Sequence, residues 1–224
     1  MDLGESDRLI RLLSPRIGRV SVVARRARAS RRRFAGAFEV GNEVVVDARG
    51  KGDLLAVSMV ELVRAPRAAR DDLTRIALLC FGCEVAGSLA PEHAPAERLY
   101  GLLGHWLSRL EGSAPPTPAL RIAFEAKALT FAGLGPRLST CSRCGAGLSD
   151  PATWQADSGG AHASCSFGKP VSADLLAALE ALRRAPLAEA GGALESWLLT
   201  DAIEYHLGRG LNTRALLGTG LLAG

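Results

Sequence analysis

The hydrophobic period of this chain changes at Pro66, and that change bounds the fold more tightly than any other feature. Before it, apolar and β-branched residues come in short runs. Leu9 to Leu13, Gly18 to Ala24, Glu43 to Ala48 and Leu54 to Val63 read as strands. The turns Ser14-Pro15-Arg16-Ile17-Gly18 and Arg49-Gly50-Lys51-Gly52 separate them. From Asp71 onward apolar residues recur at helical spacing. Strands followed by helices make an α+β chain. The expected division is a β domain over residues 1–66, a small barrel or sandwich, and a helical domain over residues 67–224. A small barrel usually needs five strands, and the pattern supplies four. Residues 1–8 are too short and too charged to add another. Two expectations follow: a barrel open at one edge with its first strand missing, or a chain whose true start lies upstream of Met1.

The helical part is punctuated by caps and breakers. Asp71 or Asp72 can cap a helix with Leu73, Ile76, Ala77, Cys80 and Cys83 on one side, ended by Gly87 and Pro91. Leu99, Leu102, Leu103, Trp106 and Leu110 stripe a second helix over Pro95 to Glu111. The Pro-rich Ser113 to Pro118 opens a third, carrying Leu120, Phe124, Ala128 and Phe131 and stopped by Gly133-Leu134-Gly135-Pro136. Ser172 can cap a fourth. A fifth carries Leu194, Trp197, Leu198, Ala202 and Tyr205, before a short capped segment from Asn212.

Inside the β region, residues 24–34 hold six arginines in eleven positions, between a strand and Phe34-Ala35-Gly36-Ala37-Phe38. Guanidinium stays charged and carries a fork of donors that fits phosphate, so such a cluster repels itself unless solvent or a polyanion answers it. Residues 1–70 hold 15 Lys and Arg against 8 Asp and Glu, so the basic character belongs to the N-terminal third. Arg25, Arg26, Arg28, Arg31, Arg32 and Arg33 are the expected phosphate contacts, with Arg19 and Lys51 beside them.

Residues 141–170 lack helical period and hold three of the five cysteines. Cys141-x-x-Cys144 ends in Gly145, a knuckle that lets two thiolates face one cation. His162-x-x-Cys165 follows Gly159-Gly160 as a second pair. Cys141, Cys144, His162 and Cys165 make a Cys3His set for structural zinc, since four protein ligands leave no position for water. Cys80-Phe81-Gly82-Cys83 lies inside an apolar helical pattern without a preceding strand, and reads as core rather than a redox dithiol.

The remaining signals are exclusions. None of the remaining histidines, His93, His105 and His206, has a Ser, Cys or acid neighbour forming a catalytic group, and Gly-rich phosphate loops are absent. The chain reads as no enzyme. Asp2, Glu5 and Asp7 stand where a signal peptide needs positive charge, and no uncharged apolar run approaches the roughly 18 residues of a membrane span. A cytoplasmic protein without a membrane partner is expected.

Three stretches together resemble the RecO family of recombination-mediator DNA repair proteins. They are Gly4-Glu5-Ser6-Asp7-Arg8 with Gly18 to Arg33, then Leu89 to Pro95 with Leu99 to Leu103, and lastly Gly133 to Gly145 with Tyr205 to Arg209. The resemblance covers nearly the whole chain. It implies an N-terminal OB-fold and a helical domain with an embedded zinc finger, here residues 139–170. It further implies binding to single- and double-stranded DNA, annealing, work with RecR and single-strand-binding protein to load RecA, and a nucleoid-associated location. Two departures stand out. The family has an apolar strand before the first signature, and its second metal pair is usually Cys-x-x-Cys or a His variant differently spaced from Gly-Gly. The rival readings are a zinc adaptor that docks only proteins and a thiol enzyme using Cys80 and Cys83.

Overall fold

The computed structural model describes residues 2–3, 6–27, 34, 36–51 and 54–218. Five strands, β1 (Asp2–Leu3), β2 (Asp7–Ser14), β3 (Gly18–Ala24), β4 (Glu43–Lys51) and β5 (Leu54–Arg64), form one sheet in the order β1-β2-β3-β5-β4. All neighbours are antiparallel except β3 with β5, which are parallel. β1 and β4 are the outer strands, so the sheet is not closed among the described residues.

β2, β4 and β5 run longer than the sequence pattern suggests, and one strand is added. Residues 1–8 do supply a strand: Asp2 pairs with Arg8 and Leu3 with Asp7. A ladder is made by backbone N–H and C=O groups, so charged side chains at an edge do not forbid it. The ladder of β4 also runs through Arg49, Gly50 and Lys51, the last paired with Leu54, where the sequence reads as a turn. Its register shifts between Asp47 and Ala48, a bulge that bends the strand. Val20, Val22, Ala24, Phe34 and Val57 are the buried core of this sheet.

The helices begin where side chains can cap them. Asp72 accepts from the Arg75 N–H at 2.8 Å and starts α1 (Leu73–Leu89). Gly87 lies inside α1, which runs to Ala90, extended ahead of Pro91. Leu73, expected on the apolar side, is exposed. α2 (Glu97–Glu111) packs on α1, with Trp106 fully buried and donating to the Leu78 carbonyl at 3.1 Å. Thr117 caps α3 (Pro118–Phe131), whose proline takes the first turn where no N–H is needed. Every residue from Ala119 to Ala126 is buried, so α3 is the axis of the helical domain.

After α3 come three short strands, β6 (Ala152–Gln155), β7 (Gly159–His162) and β8 (Lys169–Val171), ordered β7-β6-β8. Ser172 caps α4 (Ala173–Arg184). α5 (Leu198–Leu207) starts later than the apolar pattern suggests, leaving Leu194 and Trp197 ahead of it, and α6 (Arg214–Leu217) ends the described chain.

The sheet docks on the helices through the α1–α2 connection. Arg19 N–H donates to the Pro91 carbonyl at 2.8 Å and Ala96 N–H to the Pro15 carbonyl at 2.9 Å. Gly18 sits at φ 66°, where a Cβ would lie 2.2 Å from the Pro91 oxygen, so glycine is required both for the backbone and for the approach. Tyr100 donates to Glu43 at 2.9 Å, and Arg64 reaches both Glu43 and Ser108.

Glu84 latches the C-terminal segment to α1. Its carboxylate accepts from Asn212 N–H at 2.9 Å, Asn212 Nδ2 at 2.8 Å, Thr213 N–H at 2.9 Å and Thr213 Oγ1 at 2.8 Å, and pairs with Arg209 at 3.2 Å. Burial alone would raise its pKa, but these donors together hold it below the ordinary value of 4.5. A carboxyl with a depressed folded pKa stabilises above the unfolded value, and that contribution is lost as pH falls through the folded one. Glu84→Gln should therefore cost about 2 kcal/mol at neutral pH. In urea unfolding the gap from wild type should close as the pH drops below the ordinary carboxylate range.

Candidate metal centre and nucleic-acid interface

Two knuckles bring four ligand atoms together. The first forms because Gly145, at φ 77°, donates its N–H back to the Cys141 carbonyl at 3.0 Å, while Cys141 N–H donates to the Ala146 carbonyl at 2.7 Å. The second closes through Cys165 N–H to the His162 carbonyl at 2.8 Å. β7 carries the second knuckle against the first: Ser142 N–H donates to the Gly160 carbonyl at 2.9 Å. Gly159, at φ 95°, is fixed by the backbone of Arg137, whose oxygen would lie 2.4 Å from an added Cβ. The Gly-Gly ahead of His162 thus lets the hairpin press close enough to join both knuckles.

The ligand atoms of Cys141, Cys144, His162 and Cys165 all lie within 4.8 Å of one another. This cluster could hold a metal ion. His162 is oriented as a ligand, because Nε2–H donates to the Gly147 carbonyl at 2.9 Å and leaves the Nδ1 lone pair toward Cys144 Sγ at 3.5 Å and Cys165 Sγ at 3.9 Å. A carbonyl can only accept, so this bond fixes the tautomer. The thiols are differentiated. The backbone N–H of Cys144 chiefly, with those of His162 and Arg143, holds Cys141 down to about 6 against the opposing effect of its burial. Burial and hydrogen bonds to Cys144 and Cys141 push Cys165 up. Three thiols and one imidazole nitrogen are the donor chemistry of a soft-ligand tetrahedral site. All four residues, His162 included, are those that the sequence spacing picks out.

The other cysteine pair has a different character. Burial, then the neighbouring Cys80, push Cys83 up to about 12, and burial also raises Cys80. Neither is held as the thiolate that a nucleophile requires.

The cationic strand end is built from the sheet. β3 stops at Ala24 and exposed Arg25 and Arg26 follow. Arg26 adopts φ 57° and donates its N–H to Asp7 Oδ1 at 2.8 Å. That bond is the main cause holding the Asp7 carboxyl below its ordinary range, with Ser6 and the two arginines assisting. Asp7 thus works as a clip on the exit from β3. At the other end, Phe34 is buried in the sheet core with its ring 5.4 Å from that of Phe38. Arg28, Arg31, Arg32 and Arg33 lie between these anchors and outside the described residues, as does the side chain of Lys51. Arg19 pairs with Glu92 at 2.9 Å, on the helical side of the sheet.

The buried ion cluster of α3 carries no usable sequence signal. Arg121 and Glu125 are both fully buried, 2.9 Å apart, and Arg121 also meets Glu195, the Ser196 carbonyl at 2.9 Å and Thr200 at 3.2 Å. At a spacing of four they look like an ordinary solvated helix pair.

Two family models match the chain, "Recombination protein O N terminal" over residues 1–66 and "Recombination protein O C terminal" over residues 70–215. A curated relative named DNA repair protein RecO, from Anaeromyxobacter dehalogenans (strain 2CP-C), is 42% identical over 97% of this chain and 91% of its own length. Proteins of the same name from Myxococcus xanthus (strain DK1622) and Geobacter metallireducens are 37% and 33% identical, over 95% and 97% of this chain and 91% and 92% of theirs. No helix among the described residues is long and apolar enough to cross a membrane.

Proposed function

This chain belongs to the RecO family of DNA repair proteins, and on that premise we propose that it is a non-enzymatic recombination mediator that binds single- and double-stranded DNA and anneals complementary strands. The observation that carries the reading is the double anchoring of the arginine run: the Asp7 clip at Arg26 and the buried Phe34 tie its two ends to one rigid sheet. A segment fixed at both flanks has less freedom to lose on meeting phosphates than a free tail. Arg25, Arg26, Arg28, Arg31, Arg32 and Arg33 are the proposed phosphate contacts, with Lys51 beside them. Arg19 ranks behind, since Glu92 already answers its charge.

Residues 1–66 form an OB-fold in this reading. The order β1-β2-β3-β5-β4 with β3 and β5 parallel supports a five-stranded, partly open Greek-key barrel. Residues 67–224 are the helical domain, with the finger of residues 139–170 inserted. Cys141, Cys144, His162 and Cys165 hold a zinc ion whose role is to clamp the two knuckles. Annealing needs no general base or nucleophile: a basic surface that holds two strands close lowers their repulsion, and pairing follows. The helical domain offers surfaces to RecR and single-strand-binding protein during RecA loading, in the cytoplasm on the nucleoid.

A protein-only adaptor makes the opposite prediction about DNA. Gel retardation of a labelled oligonucleotide at low salt decides between them: a mediator retards it, and an adaptor leaves it free at every protein concentration.

A further inference from the structure

We infer that the tip of the metal finger is a second single-strand contact, in which Phe167 stacks on a base while Arg143 and Lys169 meet the flanking phosphates. Phe167 is 95% exposed, against 72% for Leu73, the next most exposed large apolar side chain among the described residues. Exposure alone would mean little on a mobile loop. Here the backbone beneath the ring is fixed. Gln155 Nε2 donates to the Phe167 carbonyl at 2.8 Å and Thr153 Oγ1 to the Ser166 carbonyl at 3.1 Å. Gly168 presses so close to β6 that a Cβ would lie 2.6 Å from the Trp154 oxygen. An unburied phenylalanine is thus held out by a rigid mount, one side of which is the Cys165 knuckle.

The surroundings select the partner. A protein-docking hot spot sits amid other apolar side chains, whereas Phe167 stands in polar company. Arg143, from the first knuckle, is exposed and donates to Gln155 Oε1 at 3.0 Å, so one amide links its guanidinium to the Phe167 backbone. Lys169 is exposed two residues on, at the start of β8. The carboxylates of the finger are engaged elsewhere: Asp150 accepts from the Ala173 N–H and Asp157 from the Ser158 hydroxyl. An aromatic face flanked by cations is the pattern of base stacking with phosphate neutralisation, which tolerates any sequence.

This inference rests on the DNA-binding reading above, and its test separates the two. Affinity for a fluorescent oligothymidylate is measured on the metal-loaded full chain for wild type, Phe167→Ala, Phe167→Trp and the Arg143→Ala/Lys169→Ala variant. The visible absorption of the Co2+-substituted site shows in each that the finger is folded. Expected results are an affinity about ten-fold lower for Phe167→Ala at unchanged salt slope, retained affinity with quenched fluorescence for Phe167→Trp, and a shallower salt slope for the double variant. If wild type binds and Phe167→Ala binds equally well, the finger contact is overturned while the arginine loop stands. If wild type binds no oligonucleotide, both readings fall.

Discussion

Removing the metal, by chelation or by Cys141→Ser, is expected to unfold the finger while α1 to α3 stay folded. The finger has little core of its own. Its strands are three and four residues long, and its large buried side chain Trp154 packs into the helical core instead, as does Leu138 just ahead of it. What joins the knuckles to each other is the four-ligand cluster plus single backbone bonds such as Ser142 to Gly160. Structural zinc sites supply about 10–16 kcal/mol of apparent binding energy near neutral pH, and in such small units that energy is folding energy. Loss of the ion should therefore raise amide exchange across residues 141–168 by several orders of magnitude, with little change in α1 to α3. Bound metal should fall from one equivalent to none. Unchanged exchange in the finger after metal removal would show that the hydrogen bonds suffice and that the cluster has another role.

The second large effect lies in the buried ions of α3. Arg121→Met should cost about 3–5 kcal/mol, because it leaves the fully buried Glu125 without its cation. Burial already pushes the Glu125 carboxyl up, and the Arg121 charge, with bonds from Thr200 and Arg121, opposes that. Thr200 Oγ1 donates to Glu125 at 2.5 Å, and the Arg121 guanidinium lies 4.2 Å from the Trp197 ring. Arg121 therefore fastens the segment leading into α5 onto α3 as well as balancing a charge. The Arg121→Met/Glu125→Leu pair should recover much of the loss, since replacing both ions by apolar groups removes the desolvation penalty. Denaturant unfolding of the two single variants and the pair closes the cycle. A single-variant loss below about 1 kcal/mol would mean that water reaches this site.

Much of the fold is legible in the chain because its signals are local. Asp72 and Ser172 cap helices where a short polar side chain precedes an apolar stripe, and each does so through one hydrogen bond three residues on. The four residues of the candidate metal cluster come together for the same reason, each knuckle being a four-residue unit. What escapes depends on distance in the chain. Nothing near Arg121 says that Thr200, 79 positions away, will bury it. Asp7 belongs to a motif, but its function as a clip on Arg26 emerges only when β2 lies beside β3. Composition argues against β1 although pairing is a backbone matter, and glycine at Gly50 and Gly87 reads as a breaker where ladder and helix bonds tolerate it. Phe167 carries no sequence signal, because a lone phenylalanine is normally core.

If the arginine run holds DNA by its phosphates, binding must weaken with salt in proportion to the arginines engaged. The most direct measurement is the affinity for a fluorescent single strand across a salt series, for wild type and for the Arg31→Ala/Arg32→Ala/Arg33→Ala variant. Each phosphate neutralised on a single strand contributes about −0.7 to the slope of log affinity against log salt. Loss of three contacts should therefore flatten the slope by about two units and weaken binding at low salt, with the thermal midpoint unchanged. A variant that keeps the wild-type slope and affinity would contradict the account, and would place the DNA contact elsewhere on the molecule.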